Sequence, residues 1–319
     1  MSTPAWPTIA VMGGGAVGCY YGGMLARAGA PVTLIARKPH VAAIAKEGLG
    51  FESLRFSGSI PLSASSDARA ARGAQWLLFS VKSTDTEAAA DLLAPHLDPH
   101  ALIIGLQNGV DNIERIRARL PNPVVPAVVY VAVAMSGPGR VRHTGRGDLV
   151  IGDMGKEPGL AALRLAEIAG VFERAEIACR VSDNLEGELW VKLLMNCAYN
   201  AVSALGQSQY RRMAADARVL EVMKLAVREV LEVARAAGVK MPPGDLVDAA
   251  CRLADAMPEA TSSTAQDLAR GRRTEVDHLN GYIFRRGAEL GVATPVNQTL
   301  HALVRLLEAR PVPPAQSAS

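Results

Sequence analysis

A glycine cluster between two apolar runs restricts the fold of this chain more than any other feature. Thr8 to Met12 is a short aliphatic run, and Gly13, Gly14, Gly15, Ala16, Val17 and Gly18 follow at once. Cys19 to about Gly29 reads as a helix, and Pro31 to Ile35 as a second strand. Strand, Gly13-x-Gly15-x-x-Gly18, helix and strand within about 30 residues make a βαβ dinucleotide-binding unit. In such a unit Gly13 permits the tight turn, and Gly15 lets backbone amides approach a pyrophosphate. Gly18 lets the helix close on the strand, with the helix N-terminus facing the anion.

The end of the second strand selects the cofactor. An NAD site places Asp or Glu there, to hold the ribose 2′-hydroxyl. This chain has Ala36, Arg37 and Lys38 instead. A guanidinium can bind a 2′-phosphate bidentately where a carboxylate would repel it, so the reading is NADP. The plainer alternative is an ordinary surface arginine at a strand end.

The alternation continues. Gln75 to Val81 is an apolar strand followed by Lys82, and Ala101 to Leu106 is another, followed by Gln107-Asn108-Gly109. Lys82 and Asn108 therefore stand at the carboxyl edge of the sheet, where ligands of such sheets bind. Either can also cap the next helix or turn. Val124 to Met135 is a longer β-rich run, and Gly139 to Gly152 reads as two short strands about a turn. From Asp183 onward helical periodicity takes over, at about 184–205, 216–237, 245–256, 263–271, 275–290 and 295–309. In the last but one of these, Thr274 with Asp277 reads as a variant capping box.

The expected fold class is α/β: an N-terminal Rossmann-type doubly wound sheet followed by an all-α C-terminal domain. The expected boundaries are 1–181 for an NADP-binding domain, 182–310 for a helical substrate-binding domain and 311–319 for a disordered tail.

The helical half carries the most unusual polar pattern. Lys192, Asn196 and Asn200 recur at i, i+4 and i+8 among Leu189, Trp190, Leu193, Leu194, Met195 and Cys197. Each step of four residues drifts only about 40° around a helix, so the three share one face. The stripe reads as a buried lysine and two amides aimed at something polar. A lysine so placed must find a partner or lower its pKa, as a proton donor near neutral pH requires. A core lysine paired with Glu188, one turn earlier, is the bland alternative.

The totals exclude other classes. Net charge is +3 and aromatic content only 4%, which argues against a nucleic-acid groove. No stretch of about 18 apolar residues reads as a membrane span. The four cysteines form no CxxC pair, and the six histidines show no metal-ligand spacing, so no metal is expected. The reading is a cytoplasmic protein with thiols as small buried hydrophobes.

Together, Gly13–Gly18, Lys82, Gln107-Asn108-Gly109, Glu188–Asn200 and Ser262–Gly281 resemble the ketopantoate reductase (2-dehydropantoate 2-reductase) family. The motifs run in family order over roughly residues 8–305. The resemblance implies a Rossmann domain and a helical domain with the site in the cleft between them. It implies NADPH-dependent reduction of a small 2-oxo acid, 2-dehydropantoate, to pantoate, on the route to pantothenate and coenzyme A. It makes Lys192 the proton donor and Glu275 its supporting catalytic carboxylate, placed near lysine and cofactor. It makes Asn196, Asn200 and Ser263 substrate contacts. Lys82, Asn108 and Ala132 become cofactor contacts beside the glycine loop, Arg37 a 2′-phosphate contact, and Asn108 a substrate contact as well. A homodimer is open to such a chain. A related reductase of another 2-oxo acid, or a non-catalytic NADP-binding sensor, are the alternatives. Ala201 replaces a frequent family proline, and Ala260 and the neighbourhood of Tyr210 lack asparagines that line the substrate pocket in some members.

Overall fold

A computed structural model of the chain describes residues 5–154 and 162–309. The expected disordered tail at 311–319 lies outside the described residues. Two compact units are present, Met1–Leu185 and Glu186–Ser319.

In the first unit, β1 (Ile9–Met12) is buried along its whole length. A strand covered on both faces belongs at the centre of a parallel sheet. It pairs in parallel with β2 (Val32–Ile35) on one side and β6 (Trp76–Phe79) on the other, so that Val11 lies between Leu34 and Leu78. With β5 (Ser63–Ser65), β7 (Leu102–Gly105) and β8 (Val124–Gly137) the parallel order is β5-β2-β1-β6-β7-β8. Counted among themselves these strands run 3-2-1-4-5-6, the dinucleotide-binding order, which reverses between β1 and β6.

Alternate residues of β1 enter different cores. Ile9 and Val11 pack with Cys19, Tyr21 and Leu25 of α1 (Ala16–Arg27) and with Phe172 of α5 (Ala162–Arg174). Ala10 and Met12 pack with Ala90 and Leu93 of α3 (Thr86–Leu93) and with Ile113 and Ile116 of α4 (Asn112–Arg117). Helices thus cover both faces, as a doubly wound sheet requires. The short helix α2 (Lys38–Glu47) follows β2.

The sheet goes further than the sequence suggests. Residues 139–152, expected as two short strands, form one strand, β9 (Arg140–Gly152), antiparallel to β8. The actual turn is Pro138-Gly139, with Gly139 at φ 62°. The Thr144–Gly147 stretch is a bulged region, with register shifts at Tyr130/Val131 and Ala132/Val133. Arg146 adopts φ 53° there, held by an ion pair to Asp148 at 2.7 Å and by the Tyr130 ring 4.1 Å beneath its guanidinium. β9 also takes β3 (Leu49–Glu52) and β10 (Cys179–Ser182) in parallel, and β3 carries β4 (Ser57–Ile60), completing a mixed ten-stranded sheet.

The second unit is helical throughout its described residues: α6 (Leu185–Gly206, whose first residue closes the first unit), α7 (Tyr210–Ala215), α8 (Ala217–Ala236), α9 (Leu246–Ala256), α10 (Ser263–Ala269), α11 (Asn280–Leu290) and α12 (Pro295–Glu308). Side chains close several helix starts. Asp216 accepts from Arg218 N, Asp245 from Asp248 N and Ser262 from Ala265 N. Gly238 and Gly291, at φ 75° and 70°, end α8 and α11.

The helix expected from 275 begins instead as a 3-10 turn at Val276–His278, before α11. Thr274 Oγ1 accepts from Val276 N, but no capping box forms with Asp277. The Asp277 carboxylate goes to His301 Nε2 at 2.7 Å and to Arg305 at 3.7 Å, stronger partners than a backbone amide.

Candidate functional site

The glycine loop has three different kinds of space around it. Gly13 adopts φ 116°, and a Cβ there would lie 2.7 Å from Val81 N, so the loop after β6 presses on the turn. A Cβ on Gly18 would lie 2.0 Å from the Gly13 carbonyl oxygen and 2.5 Å from Ser80 Oγ, which is the close approach of α1 to β1. A Cβ on Gly14 would meet the Ala36 methyl at 2.3 Å, joining the loops after β1 and β2. Around Gly15 nothing lies within 4 Å. Gly15 is also the N-cap of α1, whose first amides have no side-chain partner there. A tight turn, a packed third glycine and open space over a helix N-terminus fit a pyrophosphate.

Arg37 follows the Ala36 contact directly and forms the N-cap of α2. Its side chain is exposed, and among the described residues it makes no ion pair. A 2′-phosphate on the ribose fits such a group better than a bare hydroxyl does.

Lys82 and Asn108 stand on loops that a buried polar network joins. Gln107 Nε2 donates to Val81 O at 3.0 Å and to Thr86 Oγ1 at 2.8 Å. Ser83 Oγ donates to Asn108 O at 2.9 Å, and Asn112 Nδ2 donates to the same carbonyl at 2.5 Å. Arg115 completes the network by donating to Ser83 O and to both oxygens of Glu87. Both loops leave the carboxyl ends of adjacent strands, β6 and β7, beside the point where the sheet order reverses. Ser80 ties the first of them to the glycine loop, donating to Gly13 O at 3.0 Å. Sequence reasoning passed over Ser80; the only signal was a hydroxyl at the end of an apolar strand. Ala132 lies apart from this group, in the stretch of β8 beyond β7, opposite Gly145 of β9.

In the second unit α6 carries the polar stripe. Asn200 is buried, while Lys192 and Asn196 are half-buried, so the face expected to be wholly buried opens toward its N-terminal end. Lys192 sits between buried Leu189, Trp190, Leu193 and Leu194. The two adjacent serines separate in role. Ser262 is buried, caps α10 and donates to Asn200 O at 3.0 Å, whereas Ser263 is exposed as the first residue of α10. Ser262 N also donates to Ser203 Oγ, so two bonds hold this turn against α6. The backbone at Asn200 and the start of α10 are brought together in this way. Glu275 is half-buried and precedes the 3-10 turn, on a segment whose Thr274 N donates to Glu308.

Burial pushes the Cys19 and Cys179 thiols up to about 12, and the Cys197 thiol higher still. Among the described residues no three His, Cys, Asp or Glu side chains gather to hold a metal ion. No helix among them is long and apolar enough to cross a membrane.

Known proteins match this chain along most of its length. The family model "Ketopantoate reductase PanE/ApbA" matches residues 9–156, and its C-terminal counterpart matches residues 184–308. A 2-dehydropantoate 2-reductase of Pyrobaculum aerophilum is 33% identical over 300 residues, covering 94% of this chain and 97% of the relative. The crystal structure of a PanE/ApbA family ketopantoate reductase from Ralstonia eutropha JMP134 superposes with a TM-score of 0.88 at 51% identity, covering 94% of this chain and 98% of that one. A D-mandelate dehydrogenase solved with NADH and anilino(oxo)acetate has the same fold, with a TM-score of 0.87 at 23% identity over 94% of this chain and 98% of that one.

Proposed function

The chain belongs to the ketopantoate reductase family of oxidoreductases, and we propose that it reduces 2-dehydropantoate to pantoate with NADPH. The observation that carries this reading is the α6 stripe: a half-buried lysine and two amides on one face, with Asn200 tied to the turn that presents Ser263.

NADPH, when bound, supplies the hydride. The glycine loop would hold the pyrophosphate on the backbone amides at the start of α1, and Arg37 would hold the 2′-phosphate. Lys82 and Asn108, on the neighbouring loops, would contact the rest of the cofactor. Asn196, Asn200 and Ser263 bind the acid, using neutral groups that orient a hydroxyl and a carboxylate without competing charge. The Lys192 ammonium hydrogen-bonds the keto oxygen and stabilises the negative charge that develops on it. It then gives that oxygen its proton. Glu275 holds the lysine in place.

The test is an NADPH-oxidation assay with 2-dehydropantoate beside a panel of other 2-oxo acids, on the wild type and on Lys192→Ala. The variant loses roughly 10²–10⁴-fold in kcat, the range for one acid–base group. Full kcat in that variant at saturating substrate would remove Lys192 from the reaction.

A second reading keeps the reaction and changes the acid. Tyr210 N donates to Ala260 O at 3.0 Å, so Ala260 and the neighbourhood of Tyr210, which lack asparagines that some members carry, meet next to the Ser262–Ser263 turn. Turnover of another 2-oxo acid well above that of 2-dehydropantoate would favour this reading.

A further inference from the structure

Asn280 is fully buried at the first residue of α11, yet it does not cap its own helix. Its Nδ2 donates to Cys197 O on α6 at 3.1 Å and to Asn297 Oδ1 on α12 at 2.9 Å. The orientation of this amide is dictated by its partners. The Cys197 carbonyl can only accept. Asn297 Nδ2 is already committed to two acceptors, Ala226 O at 3.1 Å and Glu229 Oε2 at 2.8 Å, which leaves Asn297 Oδ1 to receive. Glu229 in turn accepts from Val296 N and Asn297 N at the head of α12. The donors therefore run one way, from Asn280 through Asn297 to α8.

Asn280 Oδ1 is buried without a hydrogen-bond partner. An unpaired buried oxygen is destabilising, and the two bonds that Nδ2 donates offset it. Where those two bonds lie is what matters here. Cys197 directly follows Asn196 on α6, and Asn280 lies five residues after Glu275 on the same segment. The Trp190 and Tyr282 rings meet edge-on at 6.0 Å, a second tie between α6 and α11 close to Lys192. Asn280, five residues beyond Glu275, and Ser262, next to Ser263, are both buried and both donate to an α6 carbonyl.

We infer that Asn280 is a positioning residue, a latch that sets the Glu275 segment in register with Lys192 and Asn196. The inference rests on the reductase reading of α6 given above. Reacting groups tolerate little misplacement, and a shift of the order of 1 Å costs about 100-fold in rate.

Asn280→Ala and Asn297→Ala form the test, because both belong to one network and only the first touches α6. Steady-state kinetics with 2-dehydropantoate and NADPH, thermal unfolding, and hydrogen exchange of α6 peptides are measured on each. Asn280→Ala is expected to lose about 10- to 100-fold in kcat/KM for the acid. Asn297→Ala, with a comparable fall in Tm, is expected to lose no more than about 3-fold, well below a positioning effect. Exchange over residues 197–206 rises in the first variant and not in the second. Equal kinetic losses in the two variants, or an unchanged kcat/KM in Asn280→Ala, overturn the latch. If Asn280→Ala fails to fold, Asn280→Ser, whose single hydroxyl hydrogen cannot serve both Cys197 O and Asn297 Oδ1, carries the same comparison. If the wild type turns over no 2-oxo acid, the reductase reading fails by itself. Hydrogen exchange then decides the latch, and unchanged α6 exchange in the variant overturns it.

Discussion

Ser80 Oγ donates to the Gly13 carbonyl at 3.0 Å and so fastens the loop after β6 to the glycine turn after β1, across the point where the strand order reverses. The turn that would hold a pyrophosphate and the loop that carries Lys82 are thereby linked. Ser80→Ala removes the donor and leaves a half-buried carbonyl to water. A neutral hydrogen bond contributes about 1 kcal/mol, so the expected outcome is a rise of about 5-fold in the Kd for NADPH, read by fluorescence titration. An unchanged Kd would show that the turn keeps its shape without this bond.

Gly15 and Gly18 predict opposite behaviour from the same substitution. Gly18→Ala places a methyl 2.0 Å from the Gly13 carbonyl oxygen, a backbone atom that cannot step aside cheaply. Overpacking of this kind costs about 1–3 kcal/mol, so Tm should fall by about 5–10 °C. Gly15→Ala meets nothing within 4 Å, and its backbone at φ −83° suits any residue. Its Tm should stay within about 2 °C, the scale of a lost N-cap glycine, while NADPH binding weakens at least about 10-fold. The pair separates a fold effect from a ligand effect in one calorimetric and one binding experiment.

Arg37→Asp should reverse the cofactor preference. A charge-assisted bond to a 2′-phosphate is worth about 1.5–3 kcal/mol, which corresponds to roughly 10- to 100-fold in kcat/KM for NADPH. The introduced carboxylate can accept from a ribose 2′-hydroxyl, so NADH should gain. Measuring kcat/KM for both cofactors in the variant checks this, and equal values before and after would take Arg37 out of the site.

What the chain reveals by inspection is set by sequence distance. The β1–α1–β2 unit was legible because its turn, its packing glycine and its second strand lie within one short stretch. The α6 stripe was legible because helical periodicity alone aligns Lys192, Asn196 and Asn200. Its exposure was not, since periodicity aligns the stripe but does not say how far Lys192 and Asn196, both half-buried, are covered. β9 was misread because Gly145 and Gly147 look like turn residues, and only pairing with β8 shows them to be bulged. The latches were invisible for the same reason. Ser262 reaches a carbonyl 62 positions away and Asn280 one 83 positions away, and no local pattern encodes either.

Thiol chemistry should discriminate the cysteines. Burial raises Cys19 and Cys179 to about 12, with Glu173 adding to the effect at Cys179, and burial raises Cys197 further. Their thiolate populations at pH 8 are negligible, whereas Cys251 is partly exposed. Iodoacetamide on the folded protein should therefore modify Cys251 alone, and all four thiols only in urea. Rapid modification of Cys197 in the native state would mean that α6 opens far more readily than its packing suggests.

Asp277 gives the fold of the second unit a defined acid sensitivity. Burial by itself would raise its pKa. The hydrogen bond from His301, the charges of Arg305 and His301 and the bond from Arg273 together outweigh burial and hold it below the ordinary 3.8. A carboxyl whose pKa is lower in the folded state stabilises the fold above its unfolded value, and that contribution disappears as pH falls through the folded value. Asp277→Asn should therefore melt below the wild type by a constant margin at neutral pH. The margin should shrink as pH drops below about 4 and close under more acid conditions, as linkage requires. Calorimetric scans of both proteins between neutral pH and pH ~3 check the sign, since that window spans the ordinary aspartate range. A margin that widened toward acid would mean that Asp277 is held protonated in the folded state.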